Sequence, residues 1–378
     1  MKSNRIQFSG LLVMLLVCRA AVAGVLPEDR ADILYHLYDG GGVQIDGPSI
    51  LVRKQVGKSV SFAANYYVDM VSSASIDVIT TASPYSEERK QYSLSMDYLR
   101  GNTTMSAGYT DSTESDFEAN TYNLSVSQDM FGDLTTLTLS YAYGDDVVGR
   151  SDDDLFSQDN TRQHYGIGLT QIVTRNLIAS MNLEVITDEG FLNNPYRSVR
   201  YVDSDSPIGY SYEPELYPHT RTTNAVGFRA RYYLPWRAAL QGEYRWFGDT
   251  WDIVSNTAAV TYVHPMGEWT FTGKYRFHDQ TGAHFFSDLF SRSAATNFRG
   301  RDKELSPLTS HTIRVAASYE FLSEGWNFVD KGSVTLSMDY LMVDYKEFRD
   351  LTSSAPVGLE PLYSLDANVI QLFFSFWY

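Results

Sequence analysis

The sequence predicts an all-β chain, a transmembrane antiparallel up-and-down β-barrel of about fourteen strands with long extracellular loops and short periplasmic turns. Three observations carry this. Segments of about ten residues alternate apolar and polar side chains, the period of a strand with one face toward lipid and one toward water. The connections between them alternate long and short. The last segment is apolar at every second position (Ile370, Leu372, Phe374, Phe376) and ends on the aromatic Tyr378. No stretch after residue 23 approaches the apolar length of a membrane helix, so a membrane location requires a closed barrel.

The chain opens on a secretory signal over residues 1–23. Lys2 and Arg5 form a positive start, an apolar run follows from Gly10 to Val17, and Ala21-Val22-Ala23 supplies small residues at a cleavage site. A lipoprotein reading at Cys18 is disfavoured, because the residues before it, Leu15, Leu16 and Val17, are large. These features predict export to the outer membrane of a Gram-negative bacterium. Cys18 is the single cysteine, so the mature chain has no disulfide framework and no cysteine-ligated metal. Loss of Lys2, Arg5 and Arg19 with the signal leaves 27 basic residues against 46 acidic ones, a net charge of −19. Such a chain is a poor nucleic-acid ligand, since phosphate neutralisation supplies that affinity.

Residues 24–57 precede the first expected strand. Asp39-Gly40-Gly41-Gly42 and Asp46-Gly47-Pro48 are turn chemistry, and Ile50 to Val56 suits a short strand or hairpin. Gly57-Lys58-Ser59 resembles the end of a phosphate-binding loop, but Val52 stands where that motif needs glycine and no helix pattern follows. The segment is expected either as a periplasmic lead-in or as a plug inside the lumen.

The barrel is expected over 58–378, with strands near 58–71, 90–100, 103–111, 117–127, 133–144, 162–173, 176–187, 220–233, 236–248, 251–263, 267–278, 309–321, 333–344 and 364–378. The alternation is plain in Leu137, Leu139, Tyr141 and Tyr143, and again in Trp269, Phe271, Tyr275 and Phe277. The outward connections 72–89, 112–116, 145–161, 188–219, 249–250, 279–308 and 345–363 alternate with the inward ones 101–102, 128–132, 174–175, 234–235, 264–266 and 322–332, long against short almost without fault. A soluble sandwich has no reason to place long loops on every second connection. Trp236, Trp246, Trp251, Trp269, Trp326 and Trp377 lie near strand ends, as interfacial girdles require.

On the polar faces, Arg229, Arg231, Arg237, Arg245, Lys274, Arg276 and Arg314 fall on the later strands, with Glu243 and Glu320 among them. Asp69, Asp97 and Asp339 fall on strands that become neighbours once the barrel closes. A basic wall facing an acidic one would orient polar solutes, and neutralising Arg276 and Arg314 would move selectivity away from anions. The competing reading is that these charges pair and fill the lumen. His278, Asp279, His284 and Asp288 cluster in sequence as a weak metal-ligand candidate without a recognised spacing. The charged run Arg301-Asp302-Lys303-Glu304 reads as a solvated surface loop. No catalytic motif is present, Gly-x-Ser-x-Gly included, and neither catalysis nor a cofactor is expected.

Several segments are more distinctive than the strands: Asp39-Gly40-Gly41-Gly42-Val43, Ala82-Ser83-Pro84-Tyr85-Ser86-Glu87-Glu88-Arg89, Phe131-Gly132-Asp133, Asp188-Glu189-Gly190-Phe191-Leu192-Asn193-Asn194-Pro195-Tyr196-Arg197 and Pro218-His219-Thr220-Arg221. With these the chain resembles the DUF3570 family from about residue 35 to its end. The resemblance implies an outer-membrane barrel of unknown function. The family's gene neighbours, a small lipoprotein, a thioredoxin-like protein and a flavin transferase, imply periplasmic redox or metal handling nearby. It carries over no catalytic residue.

Three function classes follow. The first is a pore or transporter for small polar or amphipathic solutes. The second is a structural or assembly partner of periplasmic redox or metal-processing proteins, and the third a surface enzyme. Expected partners are outer-membrane lipid and lipopolysaccharide, the barrel-assembly machinery that would read the segment ending at Tyr378, and periplasmic proteins.

Overall fold

The computed structural model describes residues 25–73, 85–321 and 329–378. The signal expected over 1–23 and Trp326 lie outside these residues.

Sixteen strands close into one antiparallel barrel. The first nine are β1 (Arg30–Gly40), β2 (Val43–Val56), β3 (Val60–Ser73), β4 (Tyr85–Arg100), β5 (Thr103–Thr113), β6 (Phe117–Met130), β7 (Thr135–Val148), β8 (Gln158–Thr174) and β9 (Leu177–Gly190). A separate hairpin follows, β10 (Ser198–Val202) and β11 (Tyr210–Pro214). The wall resumes with β12 (Thr220–Tyr233), β13 (Ala239–Asp249), β14 (Val254–Met266), β15 (Trp269–Gln280), β16 (Leu308–Phe321), β17 (Lys331–Arg349) and β18 (Leu362–Trp377). Neighbours in sequence pair in the wall, β9 joins β12 past the hairpin, and β18 pairs with β1 to close the circle. Closure leaves no unpaired strand edge in this wall among the described residues.

The expected count of fourteen is thus short by two, and both missing strands come from residues 24–57. That segment is neither a lead-in nor a plug, because β1 and β2 are part of the wall. Its turn residues misled for physical reasons. Gly41 and Gly42 have φ of 59° and 77°, so they are the two-residue hairpin turn itself rather than part of a long loop. Gly47-Pro48 sits inside β2. Pro48 has no N–H to donate, and the β2–β3 pairing passes from Asp46–Met70 to Ser49–Tyr67 without it. A Cβ on Gly47 would lie 1.9 Å from the Val68 carbonyl oxygen, so the strand needs glycine there.

Alternation assigns the two faces. Leu94 and Val315, both more than half exposed at 63% and 58%, belong to an apolar outer belt that continues on every strand pair. Soluble monomers do not carry an apolar surface of that extent. Tyrosines and tryptophans meet directly across strands on this face: Tyr66–Tyr92 at 5.0 Å, Tyr109–Tyr122 at 5.1 Å and Trp269–Tyr319 at 4.9 Å between ring centres. Each such pair adds about 0.5–1 kcal/mol and helps hold register. Ile370, Leu372, Phe374 and Phe376 also lie on the outer face of β18, opposite Leu37, Tyr35, Ile33 and Ala31 of β1. The Tyr378 hydroxyl donates to the Arg53 carbonyl oxygen at 3.0 Å.

Strand β1 starts and β18 ends at the same rim, Arg30 facing Trp377. That rim has the short turns 57–59, 101–102, 131–134, 175–176, 234–238 and 267–268. The opposite rim carries 149–157, 191–219, 281–307 and 350–361, the long connections anticipated from the sequence. Among the girdle candidates, Trp236, Trp246 and Trp269 are exposed. Trp251 is a correction, since it is buried in a cluster with Tyr217 and Phe285 at the long-loop rim.

Candidate functional site

The inner wall supplies the first half of the site. Strand pairing sets Arg229 opposite Glu243, Arg231 opposite Gln241 and Lys274 opposite Arg314, with Arg276 opposite Ala259 and Thr312. Arg245 shares that inward parity. Arg237 does not belong with them. It sits in the 234–238 turn with φ 63°, because the chain leaves β12 at Tyr233 and re-enters only at Ala239.

The cations are unequally neutralised. Glu243 takes both Arg229 at 2.8 Å and Lys274 at 2.9 Å. Arg245 reaches Glu184 at 3.0 Å, and Arg314 holds Asp339 in a two-point fork at 2.5 Å per bond. Arg231 donates to Gln241 at 2.9 Å. Arg276 makes no side-chain hydrogen bond or ion pair with another described residue. Arg229, Arg231, Arg245 and Arg276 face inward and are nevertheless solvent-exposed, so the lumen at this level is wide enough for water.

The acidic wall expected opposite them does not exist as a free surface. Asp97 is paired with Arg53 at 2.7 Å and accepts from Ser106 at 2.6 Å. Asp69 is buried against His36 at 2.7 Å, which stacks on Tyr67, and Arg89 stands 4.0 Å away. Asp339 is consumed by Arg314 and therefore lies beside the basic wall rather than across from it. The wall half a circumference from β14–β16 is β4–β6. Its inward positions at mid-wall are hydroxyls and amides such as Ser93, Thr110, Asn123 and Ser125, with Ser93 and Thr110 bonded to each other at 2.9 Å. The charged groups of the same inward parity, Glu87, Arg89, Asp97 and Asp129, lie toward the two ends of the strands.

A folded lid at the long-loop rim supplies the second half. Hairpin β10–β11 rises from 191–219, and strand-like bridges tie Tyr201 to Phe290 and Leu216 to Arg299 of 281–307. Arg200 is fully buried at the centre. It donates to Glu360 at 2.6 Å, to the Asp288 carbonyl at 3.0 Å and to the Asp288 carboxylate. Arg301 grips the same Asp288 at 2.9 Å and lies 4.3 Å over the Phe348 ring. This knot links the β9–β12, β15–β16 and β17–β18 loops, although four strands separate β12 from β17 in the wall. On the other side Tyr196 bonds Asp116 in the β5–β6 loop, and Arg197 pairs with Asp302. Phe286 anchors the lid on Leu308, Val343, Tyr345 and Phe348 of β16 and β17.

Within the lid, burial pushes the Glu215 carboxyl up to about 7, against the lowering effect of the Arg301 backbone N–H at 2.7 Å. The Tyr217 hydroxyl also donates to Glu215, at 2.7 Å. At the same rim the carboxylates of Glu87, Glu114 and Asp116 converge within 4.8 Å. Burial and then the Glu87 charge raise Glu114 above the usual carboxylate range.

The metal candidates are not brought together. His278 sits on the inner face of β15 with Thr257 at 2.8 Å, whereas Asp279 holds Lys346 at 2.5 Å. His284 bonds the Trp251 carbonyl at 3.1 Å, and Asp288 is locked between two arginines. Charged runs also need correction: Arg301, expected in a solvated loop, is buried. Arg200 and Glu360 escaped the sequence reading because they lie 160 residues apart and share no local spacing. The available signal was length, since loops of the size of 191–219 and 281–307 rarely lack structure of their own.

The chain belongs to a family described as "Protein of unknown function (DUF3570)", whose model matches residues 76–345. No curated protein matches. Among solved structures, the siderophore receptor PirA from Pseudomonas aeruginosa is similar at 11% identity and TM-score 0.45, over 93% of this chain and 63% of the receptor. The chain thus spans under two thirds of that receptor's length. A Pseudomonas aeruginosa FadL homologue has 10% identity and TM-score 0.43, over 93% and 90% of the two chains. OccK2 (OpdF) from the same organism, in complex with glucuronate, has 10% identity and TM-score 0.41, over 94% and 99%. Likenesses this distant say nothing about a solute.

Proposed function

We propose that the chain is a pore or transporter for small polar or amphipathic solutes in the outer membrane, exported by its first 23 residues. The observation that carries this reading is the set of inward-facing yet solvent-exposed arginines, Arg229, Arg245 and Arg276 along the wall and Arg231 nearer the short-turn rim. A lumen serving only as structural filler would bury such groups in pairs. The apolar outer belt supports lipid around the wall, and the acidic long-loop rim suits the face toward lipopolysaccharide. The outward apolar row from Ile370 to Phe376, followed by Tyr378, supports recognition by the barrel-assembly machinery. In this reading the lid narrows one mouth and the protein performs no catalysis.

Purified protein in planar bilayers tests the proposal. Stepwise open-state currents are expected, with flicker from the lid. A silent protein, including after removal of hairpin 198–214, overturns it in favour of a scaffold.

A further inference from the structure

The charge on the two halves of the lumen is unequal. Across β12–β16, leaving aside Arg221 with Asp249 and Glu320 with Lys331, which pair off near the strand ends, six cations, Arg229, Arg231, Arg245, Lys274, Arg276 and Arg314, meet three carboxylates, Glu184, Glu243 and Asp339. Arg245 with Glu184 and Arg314 with Asp339 cancel locally. Glu243 serves two cations and leaves one charge over. Arg231 and Arg276 meet no carboxylate among the described residues. The wall therefore keeps three positive charges. The β4–β6 wall, which lies opposite β14–β16, presents no surplus of cations: hydroxyls and amides at mid-height, and Glu87, Asp97 and Asp129 with the single cation Arg89 toward its ends.

Exposure decides what this surplus does. A paired arginine has its fork occupied, whereas Arg276 is flanked across the strands by Ala259 and Thr312, neither of which can neutralise it. Its guanidinium is open to water inside a low-dielectric wall, where a charge is screened less than on an outer surface. A planar fork of this kind fits the two oxygens of a carboxylate or phosphate.

We propose that the lumen selects small solutes bearing an oxyanion, carboxylate or phosphate, and that Arg276 and Arg231 are the side chains that touch it. This rests on the pore reading for transport, but the binding site stands without it. The hydroxyls and amides at mid-height of the wall opposite would hydrogen-bond the rest of a polar solute, and the carboxylates of that wall, Asp97 held by Arg53 among them, do not attract the anion.

The test has two arms, each on full-length wild type and on the double variant R231Q/R276Q. In bilayers under a KCl gradient, the zero-current potential should show chloride preference in wild type, reduced in the variant. In detergent, titration calorimetry with inorganic phosphate and separately with citrate should show binding that weakens on the order of ten-fold in the variant, the loss of two charge-assisted contacts. The tighter of the two probes identifies the oxyanion. Currents without anion preference, or titrations identical in the two proteins, overturn the proposal. Silence in bilayers combined with variant-sensitive titration overturns the pore reading and keeps the anion site.

Discussion

Arginine plays opposite parts in the wall and in the lid. On the wall, Arg276 and Arg231 lie open to the lumen on strands whose backbone bonds hold them regardless of charge. In the lid, Arg200 is fully buried and its two carboxylate partners come from loops 88 and 160 residues away. The difference teaches which charges are available to a solute. Removing a wall arginine changes the field in the lumen, while removing a lid arginine strands buried carboxylates and loosens the loops.

The largest effect should come from Arg200→Met. Asp288 and Glu360 would lose a buried partner, a cost of about 3–5 kcal/mol to the lid. Amide hydrogen exchange over 198–202 and 286–290 should quicken by a factor of a hundred or more, on the order set by that energy, while β4–β8 stay protected. Unchanged exchange in those loops would break the contrast between the two regions.

The next effect is a pH dependence confined to the lid. The ordinary value for Glu215 is 4.5 and the folded value about 7, so the folded lid favours the protonated acid. Its contribution is complete below pH 4.5 and is lost as pH rises through about 7, on the order of 3 kcal/mol in all. Exchange around 213–217, corrected for its intrinsic pH dependence, should therefore be faster at pH 8 than at pH 5. Glu215→Gln should remove most of that slope. A slope that survives the substitution assigns it to another group.

Smaller effects belong to the wall. Arg314→Met breaks a partly exposed pair and should lower thermal stability by about 1 kcal/mol, since the barrel backbone persists and water reaches the site. Tyr109→Leu removes one outer cross-strand contact and should cost about 0.5 kcal/mol. A heat-resistance assay on folded barrels that ranked Tyr109→Leu above Arg200→Met would invert the comparison.

The wall was legible in the sequence because a strand writes its two faces into alternate residues. Leu137 to Tyr143 and Trp269 to Phe277 need no tertiary knowledge to be read. β1 and β2 were hidden by Gly41, Gly42 and Pro48, residues whose turn chemistry is equally suited to a hairpin and a pairing gap. Facing was legible too, and placed Arg229, Arg276 and Arg314 on one side. Neutralisation was not, because Arg314 and Asp339 become opposite partners only through a register no local pattern encodes. The lid was illegible for the same reason in stronger form, as Arg200, Asp288, Arg301 and Glu360 converge from three loops. Sequence proximity instead suggested a metal cluster that His278, Asp279, His284 and Asp288 do not form.

The central claim is that Arg276 faces a water-filled lumen while its neighbour Tyr275 faces lipid. Cys18 is the single cysteine and lies in the expected signal, so introduced thiols would be read without background. Arg276→Cys and Tyr275→Cys, each reconstituted in lipid vesicles, should be compared for reaction with a charged, membrane-impermeant thiol reagent. Rapid labelling at 276 with little at 275 is the predicted result. Equal protection at both positions, or faster labelling at 275, would contradict it.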